Sequence, residues 1–254
     1  MGFVLYHSFY STCSQKVRIA LAEKAVDWQS RVIDFARQEQ LAPEYLELNP
    51  NGVVPTLVHD GQPVVDSSCI LEYLDEVVPE PALSPPTALG RARMRAWLRY
   101  FEEVPTAAVR VPSFQTTFLP ILRKLQSAAQ FDAAGEQRPI RKGFYRKMNS
   151  GRGFSQEELD SSREQLEQTV ARIDAALERG PWLLGEQFTL AECCVAPLVD
   201  RMDDLGMQSL WSARPRFADW LARLRARPSF TKAFELGSRL SERPEFASVL
   251  PSRT

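Results

Sequence analysis

The 254-residue sequence predicts two unlike halves, a small α/β domain of order βαβαββα followed by a larger all-helical one. Three observations carry that expectation. Short apolar runs interleave with helical stretches up to Val78, residues 79–89 hold four prolines without any periodic pattern, and beyond them apolar residues recur only at helical spacing. The bounds are 1–79 for the first domain, 80–89 for a linker and 90–254 for the second domain.

In the first domain, residues 3–7 are an apolar run that reads as a buried strand. The helix after it runs to about Lys24 and keeps Val17, Ala20 and Leu21 on one face. Residues 26–35 read as a second, half-polar strand and 36–48 as a helical or looped piece. Asn49-Pro50-Asn51-Gly52 is a strong turn. Residues 53–59 form a third strand, Asp60-Gly61 suits a two-residue hairpin, and 62–65 is its partner. Asp66-Ser67-Ser68 then caps a helix carrying Ile70, Leu71, Leu74 and Val78.

In the second domain, Met94, Trp97, Leu98, Phe101 and Val104 set a helix starting near Gly90, which Pro105, Pro112 and Pro120 threaten to kink or end. Residues 127–153 read as a loop-like, basic insertion with Arg138, Arg141, Lys142, Arg146, Lys147 and Arg152, solvated first and an anion or substrate contact second. Phe154-Ser155 with Glu158 and Leu159, and Phe188-Thr189 with Glu192, each carry a capping box and a hydrophobic staple. Two short helices follow at 214–225 and 228–236, and 240–254 reads as a poorly ordered tail.

A net charge of −1 gives no electrostatic reason to expect nucleic acid or an anionic membrane as partner. The N-terminus lacks a secretory pattern and no apolar run reaches the length of a membrane span. The four cysteines, Cys13, Cys69, Cys193 and Cys194, have no metal-like spacing, so neither a metal nor a disulfide framework is expected, and the pattern is cytoplasmic.

The chemistry concentrates where the first strand meets the first helix. Ser11, Thr12, Cys13 and Ser14 crowd that junction, where unpaired N–H groups and the helix dipole favour a sulfur anion. Lys16 and Arg18 are poor choices near a helix start but add positive potential around Cys13. A helix cap explains the same hydroxyls equally simply.

Four motifs in order, STCSQKVRIAL at 11–21, LNPNGVVPTL at 48–57, DSSCILEYLDE at 66–76 and FTLAECCVAP at 188–197, resemble those of the cytosolic glutathione S-transferases. The first is similar to the zeta class and to reductive dehalogenases, and the helical half to bacterial glutathione-dependent β-aryl etherases. The resemblance implies a thioredoxin-like first domain and glutathione as cosubstrate. It also implies a second substrate that is small, hydrophobic and aromatic, and a cytoplasmic homodimer. Thiolate attack on an electrophile is the reaction it implies, β-aryl ether cleavage being its most specific form. The alternatives are reductive dehalogenation, a zeta-like isomerisation and a non-catalytic binding module. The zeta class usually shows an aromatic–arginine pair where this chain has Gln15-Lys16.

Residue by residue, the resemblance points to Ser11 or Ser14 as donor to the glutathione sulfur. Cys13 would resolve a mixed disulfide, or else be a small apolar residue beneath the turn. Val54, before a cis Pro55, would pair its backbone with the cysteinyl unit. Asp66 and Ser67 would take the γ-glutamyl amine and carboxylate, and Gln40 the glycyl carboxylate. Phe9, Tyr10 and residues between Tyr100 and Phe118 would line the second-substrate pocket.

Overall fold

The computed structural model describes residues 2–125, 127–148 and 153–250. β1 (Phe3–His7) lies inside a four-stranded sheet of order β2-β1-β3-β4. β2 (Trp28–Val32) runs parallel to it, while β3 (Thr56–His59) is antiparallel to β1 and to β4 (Gln62–Val65). A parallel pair needs a crossover, and α1 (Thr12–Glu23) supplies it. Because side chains alternate across a strand, Phe3 and Leu5 face α1 and α3 (Ser67–Val77), whereas Tyr6 meets Tyr45 of α2 (Pro43–Leu48), with ring centroids 5.9 Å apart. Asp60 and Gly61 both take positive φ, 48° and 82°, as a tight hairpin demands.

Two strands are shorter than their patterns. β2 stops because Asp34 turns the chain, its carboxylate accepting from the Ala36 amide at 2.8 Å. β3 starts late because the Val53 carbonyl is already taken by Tyr45 Oη at 2.6 Å and Asn49 Nδ2 at 2.9 Å. A 3₁₀ turn at Glu39–Leu41 precedes α2. α1 is buried from Ser14 to Leu21 rather than along one face, since the sheet side and the second domain both press on it.

After an irregular stretch come α4 (Ala88–Glu103), α5 (Pro105–Ser113) and α6 (Leu119–Leu125). Pro105 ends α4 and opens α5. Pro112 stays inside α5, and a wide π turn, Phe114–Phe118, follows it. The irregular stretch is anchored by Lys24, whose Nζ meets Asp75 at 2.5 Å and the Pro81 carbonyl at 2.7 Å.

The region expected to be loop contains α7 (Ala128–Glu136) and α8 (Lys142–Lys147). Ser127 and Gln130 form a capping box, and Phe131, Phe144 and Tyr145 pack with Leu119, Met148 and Phe154 in a small core of their own. Irregular spacing and a high basic content hide both helices from periodicity. Arg146 and Lys147 are solvent-facing and paired with Glu136 and Glu158. Arg152 lies outside the described residues.

α9 (Gln156–Ala176), α10 (Leu190–Asp204), α11 (Pro215–Arg225) and α12 (Pro228–Ala233) complete the main bundle. The expected tail is also structured as far as it is described. Leu240 and Phe246 are buried, α13 (Pro244–Ala247) is a short helix, and Asp204 Oδ2 accepts from the Leu240 amide at 2.6 Å. No helix among the described residues is long and apolar enough to cross a membrane.

α10 is the buried axis of the second domain. Glu192 accepts from the Leu183 amide at 2.7 Å and from the Thr189 amide and hydroxyl, both at 2.8 Å. Thr189→Ala removes the cap oxygen that takes the Ala191 amide at 3.2 Å. It is expected to cost about 1–2 kcal/mol. Thermal denaturation reads this as a Tm lower by several degrees.

Candidate active site

The turn between β1 and α1 is held by its main-chain carbonyls. Arg18 donates to the Ser8 carbonyl at 3.3 Å and the Phe9 carbonyl at 3.0 Å. On its other side it donates to the Ala233 carbonyl at 2.6 Å and to Ser238 Oγ at 2.9 Å. Gln15 Nε2 bridges the Phe9 and Ser238 carbonyls, at 3.1 and 2.8 Å. Arg201 takes the Tyr10 carbonyl at 2.6 Å. Three consecutive carbonyls are thus fixed by buried side chains, two of which also grip the C-terminal segment. Burial lowers Arg18 to about 10, yet a guanidinium at that value is charged at neutral pH.

Arg18 therefore keeps its charge beside the turn while its donors hold the turn's carbonyls in place. Lys16 is likewise buried and meets Glu102 Oε1 at 2.5 Å and Thr106 Oγ1 at 3.3 Å. Glu102, on α4, also accepts from Ser68 Oγ at 2.7 Å and from Ser67 Oγ at 3.5 Å. Burial pushes its carboxyl up, but the Lys16 charge and these hydrogen bonds hold it below the ordinary carboxylate value. Sequence reading missed Glu102. The signal was there in Lys16, a cation badly placed near a helix start and therefore in need of a carboxylate from elsewhere.

Ser11 caps α1, its Oγ accepting from the Ser14 amide at 3.3 Å. Capping uses a lone pair, so the hydroxyl proton stays available, and the side chain is partly exposed. Ser14 is fully buried and its Oγ accepts from the Ser8 amide at 3.3 Å, beneath the turn. Cys13 is partly exposed. Of the two serines, only Ser11 therefore stands at the surface of the helix N-terminus.

The other expected site residues surround this turn. The Val54–Pro55 peptide is cis, and neither main-chain polar group of Val54 has a hydrogen bond among the described residues. Asp66, at φ 72°, caps α3 through the Ser68 and Cys69 amides at 2.9 and 3.1 Å. Ser67 is buried beside it with its hydroxyl toward Glu102. Gln40 is fully buried, and neither end of its amide has a partner among the described residues. Gly52, at φ 61°, leaves room there for the α7–α8 corner, since a Cβ on it would stand 3.1 Å from Pro139.

The structure divides the two aromatic candidates. Phe9 packs on His7 and under Arg18, with the guanidinium 5.6 Å from its ring centre, so it supports the turn. Tyr10 instead joins Phe35, Phe118 and Phe246, with centroids 5.4–5.9 Å away. Tyr100 points elsewhere, its hydroxyl meeting Thr169 at 2.9 Å.

Two family models match, glutathione S-transferase N-terminal domain over residues 10–77 and C-terminal domain over 156–223. Protein LigF of Sphingobium sp. strain SYK-6 is 28% identical over 245 residues, covering 94% of this chain and 95% of that protein. The crystal structure of beta-etherase LigF superposes with a TM-score of 0.83 at 29% identity, over 92% of this chain and 99% of that one. Maleylacetoacetate isomerase of Pseudomonas aeruginosa is 47% identical, but over only 94 residues, 36% of this chain and 44% of that protein.

His7, beneath the turn, gives a pH test. Its Nδ1 faces Arg18 Nη1 at 3.2 Å and must accept, so Nε2–H donates to Ser30 Oγ at 2.8 Å. Burial, and then the Arg18 charge, lower it from 6.5 to about 4. Its contribution to stability is complete above pH 6.5 and is lost as pH falls through 4, by up to about 3 kcal/mol. The Tm of the wild type is expected to fall more steeply between pH 6.5 and 4 than that of His7→Gln. Parallel profiles would contradict the assignment.

Proposed function

The chain belongs to the glutathione S-transferase superfamily, and on that premise we propose that it activates glutathione as a thiolate at Ser11. The thiolate attacks a small, hydrophobic, aromatic electrophile. The observation that carries this reading is a partly exposed hydroxyl, with its proton free, at the N-terminus of a helix whose preceding turn is clamped.

The energetics suffice. A free thiol ionises near pH 8.5. Lowering that by about two units takes roughly 2.7 kcal/mol. A hydrogen bond to a charged acceptor contributes about 1.5–3 kcal/mol, and a helix N-terminus about 0.3–1 kcal/mol. No general base is required.

The rest of glutathione would lie along the first domain. The unpartnered main chain of Val54, held by Pro55, receives the cysteinyl unit as a sheet edge receives a strand. Asp66 takes the γ-glutamyl amine and Ser67 the carboxylate, with the α3 N-terminus helping. Glu102 positions Ser67 and Ser68 from behind. Gln40 is the glycyl-carboxylate donor, and its unmet amide supports that role. Tyr10 lines the second-substrate side. The same reading makes the protein a cytoplasmic homodimer.

Likeness to a beta-etherase along nearly the full length favours aryl ether cleavage as the specific reaction. The sulfur attacks the carbon bearing the ether oxygen and a C–S bond forms. The C–O bond breaks with its electron pair going to the aryloxide, which takes a proton from solvent. The products are a glutathione thioether and a phenol, with no net redox change.

The test follows thiolate absorbance of bound glutathione against pH. Ser11→Ala is expected to return the thiol to its free value, while Cys13→Ser leaves it depressed. Restoration by Ser14→Ala alone would move the role to Ser14. A wild type that binds glutathione without shifting its thiol would leave a binding module as the better account. Retained ionisation with lost dehalogenation in Cys13→Ser would instead make the enzyme a reductive dehalogenase.

A further inference from the structure

The α7–α8 segment, whose corner packs against Gly52, brings a second chemistry to the site. Starting at Tyr10, next to Ser11, aromatic rings follow one another in contact. Tyr10 meets Phe118 at 5.8 Å, Phe118 meets Phe114 at 5.1 Å, and Phe114 meets Phe144 and Tyr145 at 5.0 and 5.9 Å. Guanidinium groups stand at the far end of this row. Arg110, on α5, lies 5.6 Å from the Phe144 ring centre, and Arg138 lies 4.0 Å over Tyr145. Arg141 follows at φ 65°, a left-handed conformation unusual for a residue with a Cβ.

These three cations differ from Arg146 and Lys147 of α8. Arg146 and Lys147 each have a carboxylate at 2.6–2.7 Å. Among the described residues no carboxylate lies within ion-pair distance of Arg110, Arg138 or Arg141, and Arg138 Nε is buried with no hydrogen-bond partner at all. Burial lowers Arg110 and the like charge of Arg141 lowers it further, while Cys13, Tyr145 and Glu102 pull it the other way. Arg110 is therefore within electrostatic reach of the sulfur turn and also of its fellow cation. The partly desolvated guanidinium groups of Arg110 and Arg138, each against an aromatic face, lack the anion that would offset their burial, and the exposed Arg141 adds its charge near Arg110.

We propose that the second substrate is an aromatic electrophile carrying a carboxylate, its ring packed along the Tyr10–Phe118–Phe114 row and its anion held by Arg110 with Arg138 and Arg141. Arg110 is the specificity-determining residue, and a planar carboxylate suits its bidentate fork. The proposal rests on the transferase reading above, and it gives the basic segment a function beyond solvation.

The experiment compares equilibrium binding of two synthetic conjugates, S-benzylglutathione and S-(4-carboxybenzyl)glutathione, by titration calorimetry. A hydrogen-bonded charge pair predicts about ten- to hundredfold tighter binding of the carboxylate conjugate to the wild type. Raising the salt concentration should narrow the gap. Arg110→Met should bring the carboxylate conjugate down to the affinity of the neutral one, whereas Arg110→Lys, which keeps the charge, should retain part of the preference. Equal wild-type affinities would overturn the proposal and leave the transferase reading intact. Equal weakening of both conjugates by Arg110→Met would assign the guanidinium to glutathione or to the fold, and would also overturn it. If neither conjugate binds the wild type, the transferase reading itself fails.

Discussion

The Arg18 guanidinium is the interaction on which the site depends. It sits in α1, is almost entirely removed from solvent, and spends its donors on neutral acceptors of two regions far apart in sequence. One side of the fork fixes the carbonyls of Ser8 and Phe9. The other holds Ala233 and Ser238, more than two hundred residues downstream. A buried charge with a single partner would be costly, whereas one with several well-placed acceptors can be retained. The turn carrying Ser11 is therefore positioned by the end of the chain as much as by its own sequence. This also explains why residues that look like a loose tail are packed.

A second polar contact ties the domains from the opposite side. Lys16 and Glu102 form a buried pair in which Glu102 also receives the Ser68 hydroxyl and points the start of α3 toward the turn. Together the two cations of α1 tie that helix to the C-terminal segment and to α4. Both keep their charge beside the turn, and Lys16 lies within electrostatic reach of Cys13. The direct stabilisation of a sulfur anion comes from the Ser11 hydroxyl and the α1 N-terminus, whose magnitudes together match the requirement.

Much of this was legible in the sequence because it is local. The hairpin at Asp60-Gly61, the caps at Ser155 and Thr189, and the strand-to-helix junction at Ser11 are each set by a few adjacent residues. α7 and α8 were not legible, since their apolar residues, Phe131, Phe144 and Tyr145, meet a satellite core instead of forming a regular stripe. The packing of the tail is hidden for a related reason: Leu240 and Phe246 are isolated in sequence and find partners only in space. Glu102 looked like a polar position on an amphipathic helix, and only the burial of Lys16 reveals its purpose. The choice between Ser11 and Ser14 depended on burial, which no spacing supplies.

The most direct test of the clamp is the ionisation of bound glutathione in Arg18→Lys, in protein shown to be folded by circular dichroism. Lysine keeps the charge but cannot reach the two sets of acceptors with one ammonium. With Ser11 untouched, the thiol is predicted to move back toward its free value of about 8.5. A thiol that stays as depressed in Arg18→Lys as in the wild type would contradict the account, because the turn would then hold its geometry without the guanidinium.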